Sequence, residues 1–592
     1  MHTHYNLNQL YLEVSYQYRP QEDHISYYIH QFVDSLEIHY PYLFGRPRKY
    51  DFSMLLKLLL YAYSRGVFTS RSMEQLAREN LPAIWLCQNE VPSYRTICRF
   101  RQSDELADIL KQSYDEFVRY LRQQRLIDDH LFIDGTKILA DANKYSFVWK
   151  KNTIRFEAMN RQKMTELVNE MRQYYQMGLI PEETPLTLEG LEETITQLEV
   201  RLEDLEETIE ESPRLSPNPH KKERRKVKSQ LRRMKHCHSK HQHYQTQRAI
   251  LGERHSYSKT DPDATFMRMK EDPMKNGQLK PGYNLQIATS HQFVLAYELF
   301  SNPTDTRTLR PFFESHQALF RSFSVVSMDA GYGSESNYTY LEESFPEITA
   351  LIPYGTYLKE QSRKWRSDDS KVMNWDYDEK EDCYVDPQGV RFNFVAYRTR
   401  TDKYGFERNF KEYQAERIDE NQQEIEAALT QKGYVRKITV NPSYDYFKAK
   451  QRGLLKDPKY RPIYSQRKID VEPTFGHLKA CLGFTRFHVR GKQAVNNEMG
   501  LALMAANLRK LRLRKTEKER TQKFYSYWIK FLGIFETCVT ASPLFLLFFW
   551  MIMIFLRMIV RIFIGFIFAS FDKLLDFIDF FLINKIRLIR AC

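Results

Sequence analysis

The sequence predicts a multidomain α/β protein. Its core is a mixed sheet flanked by helices, with a helical domain before it and two insertions within it, a helical hairpin and a β-rich segment. Three observations carry that expectation. The apolar runs LFID and SVVSMD end at Asp134 and Asp329, and both have the length and composition of buried strands. Residues 282–352 alternate strand-like and helix-like segments, as a sheet covered by helices requires. Between the two acidic residues, Leu188, Leu191, Ile195, Leu198, Leu202, Leu205 and Ile209 recur at steps of three and four, the seam of a coiled coil.

Taken in order, residues 1–125 read as a helical domain. Leu55, Leu56, Leu59 and Leu60 have core-facing spacing. A cap at Ser70 precedes SMEQLAREN, a turn follows, and Ser93 precedes the basic helix YRTICRFR. Helix, turn and basic helix make the shape of a DNA reader, with Arg95, Arg99 and Arg101 toward DNA. A plain bundle with those arginines in water fits the pattern equally well.

Residues 126–515 read as the core. Its first strand ends at Asp134. An insertion at about 150–255 pairs the acidic heptad helix with the basic helix HKKERRKVKSQLRRMKH across a proline-rich turn at Pro213, Pro217 and Pro219. This gives an antiparallel hairpin or, alternatively, an intermolecular coiled coil. YNLQIAT and FVLAYELF read as adjacent strands joined at Ser290–His291. DTRTLRPFFESHQALF is a helix with Asp305 near its start, SESNYTYLEE another, and ITALIPY a strand. Residues 355–455 hold the β-rich insertion, and 463–513 are helical and basic.

The tail, 516–592, is different. Residues 543–571 contain only two charges, Arg557 and Arg561, and as a helix would span roughly 44 Å against a bilayer core of ~30 Å. A membrane segment and a non-native extension are both open readings.

The net charge of +13 favours a polyanionic partner. Seven scattered cysteines without a CxxC pair argue against a disulfide framework and for a reducing cytoplasm. The N-terminus has no secretory pattern. No Gly-rich phosphate loop is present, so ATP use is not indicated. His236, Cys237, His238, His241 and His243 cluster but fit no structural zinc spacing.

The chemistry rests on three carboxylates. Asp134 and Asp329 stand at strand ends and Glu472 on a later helix, RKIDVEPTFGHLK. Mg²⁺ or Mn²⁺ takes oxygen ligands, and two such ions relieve charge on both the attacking and the leaving oxygen of a phosphodiester. Asp134 would bridge the ions, with Asp329 and Glu472 completing one site each. Strand-end Asp, two strands, helix, strand-end Asp, strand, then helix-borne Glu is the order of an RNase H-like nuclease core. Lys479 lies seven residues after Glu472, and Arg467 and Lys468 about one turn before it. All three are expected to hold DNA phosphates near the metals.

These segments resemble a known family. GRPRKYDFSMLLKLLLYAYSRGVFTSR, FIDGTKILADANKYSFVWKK, TDPDATFMRMKEDPMKNGQLKPGYNLQ, NPTDTRTL, MDAGYGSESNY and RKIDVEPTFGHLKACLGFTRFHVRG are similar to insertion-sequence transposases of the DDE superfamily, of the type called family eleven-eighty-two. The resemblance covers about residues 30–515. It implies an RNase H-like catalytic domain and Asp134, Asp329 and Glu472 as the metal-binding triad. It also implies two Mg²⁺ (or Mn²⁺), an N-terminal DNA-recognition region, and cleavage and joining at the element's inverted-repeat ends. The expected partners are double-stranded DNA, as element ends and target, and a second copy of the chain in a homodimer; the expected place is the cytoplasm, at the nucleoid. Three features depart from the family. Four residues, not three, lie between Arg467 and Glu472, and only Cys383 stands where relatives carry a cysteine cluster. The apolar tail is the third. An inactive DNA-binding relic and a membrane-associated protein are the alternative functions.

Overall fold

The computed structural model describes residues 18–38, 48–175, 188–211, 218–269, 277–418, 423 and 425–539. Met1–Lys510 form one compact unit and Leu511–Cys592 a second. The apolar run 543–571 lies outside the described residues. Among the described residues no helix is long and apolar enough to cross a membrane.

Among the described residues six helices come first: α1 (Ile25–Asp34), α2 (Phe52–Ser64), α3 (Ser70–Glu79), α4 (Leu81–Leu86), α5 (Tyr94–Arg101) and α6 (Asp104–Gln123). Helix α2 is the central one. Leu55, Leu56, Leu59 and Leu60 are buried, but so are Leu58, Tyr61, Ala62 and Tyr63, so it is packed on all sides. The N-cap of α3 is Thr69 rather than Ser70. The short helix α4 occupies what reads in sequence as a plain turn. Asn80 ends α3 and caps α4 by accepting from Ala83 N.

The core sheet begins with β1 (His130–Leu139), followed by β2 (Phe147–Trp149). Three long helices come next, α7 (Lys150–Tyr175), α8 (Leu188–Glu211) and α9 (Pro219–Leu251). The chain then returns through β3 (Ser256–Ser258), β4 (Thr265–Arg268), β5 (Leu279–Ser290) and β6 (Phe293–Phe300). Helices α10 (Leu309–Ser315) and α11 (Gln317–Phe320) lead to β7 (Val325–Ser327), α12 (Glu335–Ser344) and β8 (Thr349–Leu351). The strand order is β4-β5-β1-β7-β8, with β6 also paired to β5. Strand β5 runs antiparallel to β1 and to β6, whereas β7 is parallel to β1 and β8 to β7. Taken without β4, this is the strand order and orientation of an RNase H-like core: a three-stranded antiparallel meander continued by two parallel strands. The turn between β5 and β6 has positive φ at His291 (51°) and Gln292 (63°), the two-residue geometry that suits strand twist.

The insertion between β2 and β3 holds three helices, one more than the hairpin expected, because α7 continues directly from β2. Leu191, Leu198 and Leu205 of the heptad seam pack within the chain. They meet Met164, Leu167 and Met171 of α7 and Val227, Leu231 and Met234 of α9. From Leu191 to Leu205 the seam is therefore packed within the chain.

After β8 come α13 (Tyr357–Glu360) and α14 (Arg363–Arg366). A five-stranded sheet follows, made of β9 (Asp376–Asp378), β10 (Cys383–Val385), β11 (Arg391–Thr401), β12 (Glu407–Ala415) and β13 (Lys437–Val440). All its pairings are antiparallel, over a small core that includes Trp375, Phe392 and Tyr413. Helices α15 (Pro442–Lys456), α16 (Arg461–Gly476) and α17 (Lys492–Val539) are the last elements among the described residues. Asn507 of α17 bonds both ways to Val294 of β6, at 2.8 Å and 2.7 Å, and so occupies an edge strand that would otherwise present bare backbone groups.

Candidate active site

Strand register brings the two aspartates together, although Asp134 lies midway along β1 rather than at its end, because that strand goes on pairing with β5 as far as Leu139. Phe132 of β1 pairs with Ser327 of β7, the last pairing of that parallel ladder. Asp134 and Asp329 each follow by two residues, so they fall at the same level and, by the period of two, toward the same face. Each carboxylate is anchored by a backbone amide. Asp134 Oδ1 accepts from Gly135 N at 2.8 Å, and Asp329 Oδ1 from Gly331 N at 2.8 Å.

Helix α16 lies against this end of the sheet, held at the β5–β6 turn. Gln292 N donates to Asp470 Oδ1 at 2.9 Å, and the Gln292 side chain to Ile469 O at 2.9 Å. That contact sets Arg467, one turn earlier, against Asp134. Arg467 Nη1 stands 3.3 Å from Asp134 Oδ2. Its Nε is buried with no partner, so the guanidinium keeps a donor for a further acceptor.

Burial first, and then the charge of Asp329, pushes the Asp134 carboxyl up to about 6; Asp305 adds to the rise, and Gly135 N–H and Arg467 oppose it. Negative charge is thus concentrated in a poorly solvated place. An all-oxygen donor set with surplus negative charge suits a hard divalent cation.

Asp305 is the residue that sequence reasoning missed. Its Oδ1 accepts from Asn284 Nδ2 at 2.8 Å and from Gln286 Nε2 at 3.0 Å. Tyr332 in turn donates to Gln286 Oε1, and Thr306 Oγ1 to Gly331 O at 2.7 Å. The turn at 305–307 is thereby tied to the turn that carries Asp329. A signal existed: Asn284 and Gln286 alternate on an otherwise apolar strand, and buried amides need partners. Gly135 lies beside this network, where an added Cβ would overlap Gln286 Nε2 and Asp305 Oδ1. Gly135→Ala is expected to destabilise the protein by about 1–3 kcal/mol, read from the urea midpoint.

The remaining expected residues are distributed unevenly. Glu472 is exposed on α16, whose buried face is Arg467, Asp470, Val471 and Thr474. It makes no hydrogen bond or ion pair among the described residues and is not among the groups that act most strongly on Asp134. Among the described residues no three Asp, Glu, His or Cys side chains stand close enough to hold one metal ion. Lys468 is exposed. Lys479, expected beside Glu472 to hold phosphates, instead donates to Thr136 Oγ1 at 2.9 Å and Lys137 O at 3.2 Å. Residues 477–481 form a π-helical turn, which breaks the seven-residue equivalence and sends Lys479 to β1.

In the helical region, Arg95 and Arg99 are exposed on α5. With Thr69, Ser70, Arg71, Tyr94 and Cys98 they line an open cleft of about 600 Å³. The helix is fixed at its start by Ser93, which accepts from Thr96 N, and by Glu74 of α3, which accepts from Tyr94 N at 2.8 Å. Arg101 corrects the expectation. It is 2% exposed and paired with Glu498 of α17 at 2.6 Å, so it cannot face DNA. The helical period puts it on the side of Ile97, inside.

Comparison with known families agrees with this architecture. Residues 254–508 match the family described as Transposase DDE domain, and residues 13–103 match the Transposase domain (DUF772). The first span contains Asp305, Asp329, Arg467 and Glu472; Asp134 precedes it, on the strand that β5 pairs with. The chain thus carries a DDE transposase domain and a second transposase domain. No curated protein and no solved structure matches it.

Proposed function

We propose that this chain cuts DNA at the inverted-repeat ends of its own insertion sequence and joins the freed 3′ ends to target DNA, as a member of the family eleven-eighty-two type. The observation that carries this reading is Asp134 within β1 and Asp329 just past the end of β7, at one level of the sheet, with Arg467 against Asp134. Asp134 and Asp329 would hold the cations, with Glu472 of α16 as the third carboxylate. Two Mg²⁺ (or Mn²⁺) bound there would activate the attacking oxygen and relieve charge on the leaving one. Arg467, with its unpaired Nε, orients the scissile phosphate. The Asp305 network fixes the turn that delivers Asp329. Lys468 holds the flanking strand from the exposed side of α16, and Lys479 keeps α16 on β1. Arg95 and Arg99 bind the element end from the helical region. Two ends must be handled together, so a homodimer on DNA at the nucleoid follows.

Binding without cutting is the second reading, and the position of Glu472 outside the carboxylate pair favours it. One assay separates the two: purified protein with Mg²⁺ on a duplex carrying the element end. The expected result is nicking at the terminus. In Asp329→Asn, nicking is expected to fall by at least about 10²-fold with DNA binding retained. Equal nicking by Asp329→Asn would remove that residue from the site, and no nicking by the wild-type chain would leave the binding reading.

A further inference from the structure

The three-helix insertion carries its charge in separated bands. Helix α8 has ten acidic residues and one Arg, whereas α9 has eleven Lys and Arg and one Glu. The two helices nearly cancel in sum, so the segregation does not serve net charge or solubility. Part of it serves packing: Glu223 pairs with Arg201, Lys235 with Glu199, and Arg233 with Glu170 of α7. A remainder does not. Lys221, Arg225, Lys228 and Arg232 are all exposed, make no ion pair among the described residues, and succeed one another at steps of four, three and four. That spacing puts them on one face of the helix. Like charges three and four apart weaken a helix unless a polyanion lies against them.

We infer that this stripe of α9 is a track for the phosphate backbone of duplex DNA, gripping it away from the point of cutting. The inference deepens the transposase reading and rests on it. The module is rooted at the core: α7 leaves β2 directly, β2 pairs with β3, and Lys150 N donates to His255 O at 2.9 Å. Measured along α9 from Leu251, the stripe lies about 29 to 45 Å from that root, the length of about 9 to 13 base pairs. The acidic band of α8 repels a polyanion, so the duplex can lie along one side of the module only, which gives the DNA a direction. Backbone contacts of this kind position the duplex and carry no sequence information.

The test uses the full chain and a variant with Lys221→Gln, Arg225→Gln, Lys228→Gln and Arg232→Gln. Two duplexes carry the element end, one with about 5 and one with about 40 base pairs inside the cut site, spans that fall short of and pass the stripe. Binding is measured against KCl concentration. On the long duplex the slope of log K against log salt should become shallower in the variant by about 3 to 4, with affinity at physiological salt reduced by about 10- to 100-fold. On the short duplex the two proteins should bind alike. The thermal midpoint should not fall, because the four side chains are exposed. Equal slopes on the long duplex would overturn the track. So would equal slopes together with loss of a wild-type dimer in sedimentation, which would make the stripe a contact between copies. Failure of the wild-type chain to bind either duplex would instead overturn the DNA reading itself.

Discussion

Arg101→Ala is expected to destabilise the folded chain by about 3–5 kcal/mol, the range for breaking a buried ion pair from one side. The guanidinium donates to Glu498 Oε1 at 2.6 Å and to Tyr63 OH at 2.7 Å. Its other nitrogen reaches Phe68 O at 3.0 Å and Ser70 Oγ at 3.2 Å. One side chain thus joins the end of α5, the end of α2, the entry to α3 and helix α17. Glu498 is 0% exposed; its remaining partners are His488 N at 2.8 Å, the His488 ring at 3.2 Å and Tyr63 OH at 3.1 Å. Removal of the arginine therefore leaves a buried carboxylate without its permanent counter-charge, which costs more than the pair contributes. Urea unfolding checks this. A double variant, Arg101→Met with Glu498→Leu, should recover much of the loss, because two apolar side chains strand no charge. Arg95→Ala is the contrasting control: it should weaken DNA binding and leave the unfolding midpoint where it was.

The second large effect is expected at Asp134. Its carboxyl ordinarily titrates at 3.8 and is pushed up to about 6 in the fold. Between those values the native chain holds a proton that the unfolded chain has released. Without divalent cations, stability therefore falls as pH rises from about 4 to 6 and stays lower above it. Asp134→Asn removes the charge that the site resists, so the cation-free variant should gain about 1–3 kcal/mol at pH 7 and lose this part of the pH dependence. Nicking should fall by at least about 10²-fold in the same protein. Stability gained where activity is lost is the signature of a site held in an unfavourable charge state for its work. Thermal melts in chelator at pH 4 and pH 7, beside the nicking assay, measure both halves.

Features with a local cause were legible in the sequence. LFID and SVVSMD are apolar for the length of a strand and stop at an acid; β7 does end just before Asp329, whereas β1 runs on through Asp134 to Leu139 because it keeps pairing with β5. The β5–β6 hairpin shows because two apolar runs flank a short polar step. The heptad seam of α8 shows because its period is strict. What stayed hidden depended on contacts distant in sequence or on a change of period. Arg101 is charged and terminal in a basic helix, and charge outweighed the period that places it beside Ile97; Glu498, its partner, is about 400 residues away. Lys479 was assigned by counting seven along an α-helix, and the π turn at 477–481 adds a residue to that count. Asp305 reads as a helix-start acid, and only the fold brings it to Asn284 and Gln286. Glu472 was legible as an acid on a late helix, and the fold leaves it exposed on α16 beside the buried Arg467, Asp470, Val471 and Thr474.

The proposed cation binding by the paired aspartates can be measured without DNA or turnover. Mn²⁺ is titrated into the wild-type chain, Asp134→Asn and Asp329→Asn, and free Mn²⁺ is read by electron paramagnetic resonance. The wild-type chain should bind the ion, and each substitution should weaken binding by at least about 10-fold, since losing a ligand costs no less than losing the residue behind one. Equal Mn²⁺ affinity in all three proteins would contradict the account.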